Sequence, residues 1–174
     1  MPRTRSSHGF TLLEVIFVTA LIALLSAIAI PTVFRSRKAA NETAAVGTLH
    51  GVHTAQLTYA LTCGYGLFST SFPAFAEPNG DGFLPDDLTV SPAPVKTGYA
   101  YSLQSGPSGP SGLVDCNGFP TSIEYYVTAV PVTFQSTGTR AFASNQGITI
   151  WQDTTGAAPV EPFVDNGTVS AIEQ

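Results

Sequence analysis

Between Phe10 and Ile30 the chain reads FTLLEVIFVTALIALLSAIAI, 21 residues in which Glu14 is the only ionisable side chain. As a helix rising 1.5 Å per residue this stretch is roughly 32 Å long, which matches a bilayer hydrocarbon core of about 30 Å. It reads as a membrane-spanning segment. The polar leader ahead of it, MPRTRSSHG, carries Arg3 and Arg5 and raises the alternative of a cleaved secretory signal. Such a signal has an apolar region of about 7–15 residues and then a small-residue cleavage site. Here the run is longer and passes through Pro31 into Thr32-Val33-Phe34 and the bases Arg35, Arg37 and Lys38, with no A-x-A-like break.

Orientation does not follow from charge alone. Two bases precede the segment and three follow it, so a count of Lys and Arg favours the second side as cytoplasmic. Beyond Lys38, however, only Lys96 and Arg140 stand against eleven acids, a body suited to export. The net charge of −5 lacks the basic footprint with which proteins grip phosphates, so nucleic acid is not expected as the main partner. Charged residues make up 11% of the 174 residues, against roughly 25% in average soluble proteins. Much of the surface must then be Ser, Thr, Gly, Asn and Gln, as suits the cell exterior or packing against neighbours.

The junction Gly9-Phe10-Thr11-Leu12-Leu13-Glu14-Val15, after a short basic leader and before the apolar run, resembles the signal of type IV prepilins and type II secretion pseudopilins. The resemblance covers residues 1 to about 38. It implies cleavage between Gly9 and Phe10 by a membrane-embedded aspartyl prepilin peptidase, which also N-methylates Phe10. Glycine suits such a site because, without a Cβ, its extended backbone can approach the catalytic carboxylates closely; the plainer alternative is that Gly9 only starts the helix. Glu14 is costly in an apolar span unless it has a partner or snorkels from near the end. The resemblance implies pairing with the amino group of a neighbouring subunit's Phe10 during assembly. It also implies a cytoplasmic leader, a periplasmic or extracellular C-terminal body, an inner-membrane assembly platform as partner, and a pilus or periplasmic pseudopilus as the assembled state.

Past Pro31, which cannot donate to the Ala27 carbonyl and should kink or open the helix, a helical pattern resumes. Val46, Leu49, His53, Leu57 and Leu61 recur at spacings of three and four, as on one face packed against a globular body. One helix of about 50 residues is expected, weakened at Gly47 and Gly51 and ending near Cys63-Gly64. Residues 64–98 read as a connecting region with short ordered pieces. Segments 98–103, 122–132, 140–144 and 147–153 read as antiparallel strands, the last two joined in a hairpin at Asn145-Gln146-Gly147. From Gly156 on, no period is visible and a mobile tail is expected. The expected class is α+β, pilin-like, divided into a leader (1–9), an apolar helix (10–30), its amphipathic continuation (31–63) and a β domain with loops (64–174).

Weaker patterns were weighed on the same terms. If the body is exported, Cys63 and Cys116 face an oxidising compartment that favours a disulfide over two free thiols. Glu77, Asn79 and Asp81 alternate as in calcium loops, with Asp86 and Asp87 as further ligands, but Leu88 stands where an EF-hand has its bidentate glutamate. Calcium or an acidic turn both fit, and no other cofactor is expected. His50 and His53 could share a metal, though solvent-facing histidines are the simpler reading. Gly106-Pro-Ser-Gly109-Pro-Ser-Gly112 reads as a flexible loop, and Asn41-Glu-Thr43 and Asn166-Gly-Thr168 fit the short glycosylation pattern. No Ser/His/Asp set, zinc motif or phosphate loop points to an enzyme. A structural filament subunit is therefore expected, the rival being an anchored binding domain. Mass spectrometry of the mature N-terminus should find methylated Phe10; an intact leader in peptidase-competent cells would overturn this expectation.

Overall fold

A computed structural model describes residues 10–76 and 82–172. It comprises two compact units, one reaching Arg37 and the other starting at Lys38. Helix α1, Leu12–Thr62, belongs to both and continues through Pro31. Among the described residues the first unit is helix from Leu12 on, with every large apolar side chain from Leu12 to Phe34 at least 45% exposed. Two of its hydroxyls are satisfied within the helix: Thr19 Oγ1 donates to the Ile16 carbonyl at 3.0 Å and Thr32 Oγ1 to that of Ile28 at 3.2 Å. Such bonds let polar side chains enter an apolar medium without an orphan donor.

The second unit is built on the remaining part of α1. Its buried face consists of Glu42, Ala45, Leu49, Val52, His53, Ala55, Gln56, Tyr59 and Ala60. This corrects the expected face. Leu49 and His53 belong to it, whereas Leu57 and Leu61 are 59% and 80% exposed. Alanines let the helix lie close to its neighbours, and the buried polar residues reach hydrogen-bond partners that leucines could not use. Gly47 and Gly51 would have open space around an added Cβ, so they weaken the helix without serving close packing. At its end Gly64 N–H donates to the Tyr59 carbonyl at 2.8 Å, where a Cβ would collide with the Leu67 carbonyl and the Tyr59 ring.

Beyond α1 the chain forms β1 (Phe68–Ser69), a 3-10 turn (Phe72–Phe75), helix α2 (Asp86–Thr89), β2 (Val95–Lys96), β3 (Tyr99–Ser105), β4 (Pro110–Val114), β5 (Pro120–Ser122), β6 (Tyr125–Pro131), β7 (Ala141–Asn145), β8 (Trp151–Asp153) and β9 (Val169–Ala171). Six strands form an antiparallel sheet in the order β2-β3-β6-β7-β8-β9, and three form a smaller one, β1-β5-β4. The longest pairing in the larger sheet is β3–β6, in register from Tyr99↔Pro131 to Ser105↔Tyr125. Tyr99, Tyr101, Leu103, Tyr125, Val127, Ala129 and Phe142 from this sheet join Leu49, Val52, Tyr59, Phe72 and Phe75 in one apolar core. The class is α+β, as expected.

The four strands expected from the sequence are present, each shifted or shortened, and β7 and β8 do form a hairpin. Its loop is longer than a tight turn: Gly147 N–H donates to Asn145 Oδ1 and Ile148 N–H to the Asn145 carbonyl, both at 2.9 Å. Two expectations are corrected. The glycine-rich stretch holds a turn and then β4, fastened by Ser111 Oγ to the Thr121 carbonyl (2.9 Å) and Ser122 Oγ to the Gly109 carbonyl (2.8 Å). The tail is packed rather than free: β9 pairs with β8, Phe163 stacks on Trp151 at 5.5 Å, and Tyr126 Oη donates to the Pro159 carbonyl.

Glu42 shows how α1 holds this unit. Its Oε1 accepts from Thr139 N–H (2.8 Å) and Thr139 Oγ1 (2.7 Å), and its Oε2 accepts from Arg140 Nε (2.9 Å) and Nη2 (2.6 Å). Burial pushes this carboxyl up, but the donors from Thr139 and Arg140 outweigh it and hold it below its ordinary value. A lowered folded pKa means stability present above the unfolded value and lost as pH falls through the folded one. Glu42→Gln should destabilise by about 2 kcal/mol, the scale of charge-assisted hydrogen bonds with a half-exposed arginine. Urea unfolding should show the parent losing stability below about pH 4.5, with the variant's loss over that range smaller.

Candidate processing and assembly site

Thr11 stands at the N-cap of α1, and Glu14 is the third helical residue. Glu14 N–H donates to Thr11 Oγ1 at 3.2 Å, half of a Thr-x-x-Glu capping box. The cap ties down one of the orphan N–H groups of the first turn. The Thr-x-x-Glu spacing is itself the sequence signal of that cap. The cap engages the Glu14 backbone, and among the described residues no hydrogen-bond donor or cation meets its carboxylate. The negative charge also lies at the positive end of the helix dipole, where it is favoured. Phe10 lies next to the cap and is 74% exposed. Gly9 lies outside the described residues.

The helix that follows is long and apolar enough to cross a membrane, and its apolar side chains point in all directions. A helix with no polar face has no favourable arrangement in water; it needs lipid or other helices on every side.

Residues 4–30 match the family described as the prokaryotic N-terminal methylation motif. Over 57 residues the chain is 39% identical to the type IV wide pilus major component PilA4 of Thermus thermophilus, a match covering 33% of this chain and 44% of that relative. The N-terminal segment carries this methylation motif. The chain thus spans less than half the length of the curated relative it matches.

The other candidate residues lie beyond this motif. Cys63 and Cys116 form a disulfide, Cα atoms 5.0 Å apart, across 53 residues of sequence. Buried Asp115 supports it: Oδ1 accepts from Asn117 and Phe119 N–H at 2.8 Å each, and Oδ2 from Tyr59 Oη at 2.6 Å. Burial first, and then the Asp115 carboxylate, push the Tyr59 phenol well above its ordinary range. Of the calcium candidates, Glu77, Asn79 and Asp81 lie outside the described residues, and Asp87 pairs with Lys96 at 2.8 Å. Asp86 opens α2. Among the described residues no group of three potential ligands comes together. Asn41 Nδ2 donates to the Thr137 carbonyl at 2.9 Å, so its amide is engaged in the fold.

His53 lies on the packed face, as its spacing of four from Leu49 indicated, and not toward solvent as the pairing with His50 suggested. It is 7% exposed and its Nδ1 lies 2.7 Å from Tyr125 Oη. Burial, with a smaller contribution from the His50 charge, pushes it down to about 4.

Removing the disulfide with Cys63→Ser and Cys116→Ser should cost about 4 kcal/mol in the chain-entropy view of a loop this long. Chemical denaturation of the oxidised parent against the double variant checks this; equal midpoints would contradict it.

Proposed function

We propose that this chain is a structural subunit of a type IV pilus, cut between Gly9 and Phe10 by prepilin peptidase, N-methylated at Phe10, and polymerised through its N-terminal helix. The observation that carries the reading is a single one: an apolar helical stretch up to Ile30 whose one charged residue, Glu14, sits in the first turn beside Phe10 and within the methylation motif. A plain membrane anchor needs the apolar length but neither the carboxylate nor the junction. Before assembly the segment spans the inner membrane with the C-terminal unit outside the cytoplasm. An assembly platform then transfers subunits from lipid to the filament, where other copies or related pilins surround the helix. The pilus is favoured over a secretion pseudopilus by the similarity to a pilus component. Calcium has no part in this reading.

Chemistry gives Glu14 its role. In the filament core its carboxylate offsets the ammonium of the neighbouring Phe10, and removing one partner of a desolvated pair costs about 3–5 kcal/mol. That lowers docking by about two to three orders of magnitude. Glu14→Gln should therefore be exported and cleaved at Gly9, yet be largely absent from sheared extracellular filaments. The ratio of sheared to membrane-retained protein at equal expression is the measurement. An unchanged ratio returns the segment to a simple anchor, and a parent filament confined to the periplasm would point to a pseudopilus.

A further inference from the structure

A cavity of about 310 Å³ opens beside the second half of α1, at the lower end of the roughly 300–1,000 Å³ range of small-molecule sites. Its deep residues are buried His53, Gln56 and Tyr125; at its mouth stand Leu57 and Ile148, 59% and 55% exposed, and the Phe68 ring completes an apolar wall. His50 and Gln146 also line it but stand nearer solvent, and the deeper polar groups are mostly spent. Gln56 exchanges two hydrogen bonds with the Ser69 backbone, both 2.9 Å, and Thr54 Oγ1 donates to the His50 carbonyl at 3.2 Å.

His53 is the exception, since its Nε2 is buried without a partner among the described residues. Its tautomer follows from Tyr125. That buried hydroxyl has a proton to donate, and the acceptor it meets is His53 Nδ1 at 2.7 Å. With Nδ1 accepting, the neutral ring carries its proton on Nε2. The apolar cavity thus contains one unsatisfied N–H donor, a costly arrangement unless something accepts from it.

A second feature concerns the rim. Ile148 has φ +66°, a conformation that disfavours a β-branched residue strongly. The Asn145 carbonyl and side chain hold the loop in that shape. Strain of this kind persists where the surrounding structure imposes it, and it gathers at ligand clamps. Here it keeps an isoleucine at the mouth of the cavity, where an asparagine or glycine would sit at lower cost.

We propose that this cavity is a binding site for a small, uncharged aromatic or alicyclic molecule bearing one carbonyl-type acceptor, which takes the His53 Nε2 proton while Ile148, Leu57 and Phe68 enclose the ring. A neutral ligand fits because the walls are apolar and no fixed positive charge lines them; the depressed pKa of His53 keeps the imidazole itself neutral at physiological pH.

The test uses the full chain in mild detergent, with para-fluoroacetophenone as probe, para-fluorotoluene as its acceptor-free counterpart, and fluorine NMR against empty micelles. Saturable binding of the ketone is expected, about tenfold tighter than that of the toluene, the scale of one satisfied buried donor. His53→Phe should abolish the difference between the two probes. Ile148→Asn, which tolerates the backbone conformation, should weaken both probes about tenfold with a melting temperature no lower than the parent's. No saturable binding beyond the micelle control, equal affinity for the two probes, or an Ile148→Asn variant that binds as the parent does would each overturn the proposal. So would an affinity that falls as protein concentration rises, because a second copy of the chain would then be filling the cavity.

Discussion

From Glu42 to Cys63, successive turns of α1 carry side chains that each fix a different piece of the C-terminal unit. Asn41 and Glu42 hold the turn before β7 through Thr137, Thr139 and Arg140. His53 meets Tyr125 at the start of β6, Gln56 clamps the Ser69 backbone of β1, Tyr59 reaches Asp115, and Cys63 is bonded to Cys116. Apolar burial by Leu49, Val52 and Tyr59 supplies the drive toward compactness, but it is indifferent to register. The hydrogen bonds are directional, and misplacing any of them strands a buried polar group at about 1–3 kcal/mol. That is how a sheet of short strands is held at one position along a helix with few large apolar residues on its buried face.

The same feature explains which parts of the fold the sequence displayed. The apolar run and the helical period beyond it announced α1 almost to the residue. Which face is buried was harder, because leucines at 57 and 61 suggest burial while Glu42 and Gln56 suggest solvent. Burial in fact follows hydrogen-bonding opportunity, and those partners come from 13 and about 97 residues away. Strands β3, β6 and β7 carry aromatic or β-branched residues and were visible. The small sheet was not: Pro110–Val114 and Pro120–Ser122 owe their pairing to serine and threonine bonds rather than to an alternating apolar pattern. Strand β9 gains its place by adding to the edge of β8, information that no local window contains.

For the candidate site the balance reverses. Gly9, Phe10 and Glu14 stand out because the proposed readers, a peptidase and a membrane, act on local sequence, and local sequence is what a single chain displays. The Cys63–Cys116 bond joins two cysteines whose pairing needed no knowledge of the fold between them. The geometry around His53 was out of reach, since it depends on Tyr125 and the β7–β8 loop arriving beside the helix from far along the chain.

The apolar N-terminal helix poses a separate problem of specificity. Lipid tails are as apolar as leucine, so gathering such helices within a membrane gains little from the hydrophobic effect. A helix apolar on every side also offers its neighbours many nearly equivalent registers. In the proposed filament the one charge in the first turn breaks that degeneracy: among the possible offsets between neighbouring helices, only one lets a Glu14 carboxylate meet a Phe10 ammonium, and every other leaves both desolvated and unpaired. A buried ion pair adds little net stability over an apolar contact, yet mispairing it is expensive. The carboxylate therefore acts on where a subunit stops rather than on how tightly apolar surfaces adhere. Placing it in the first turn, with the Thr11 cap occupied by the Glu14 backbone, keeps the side chain available for that choice.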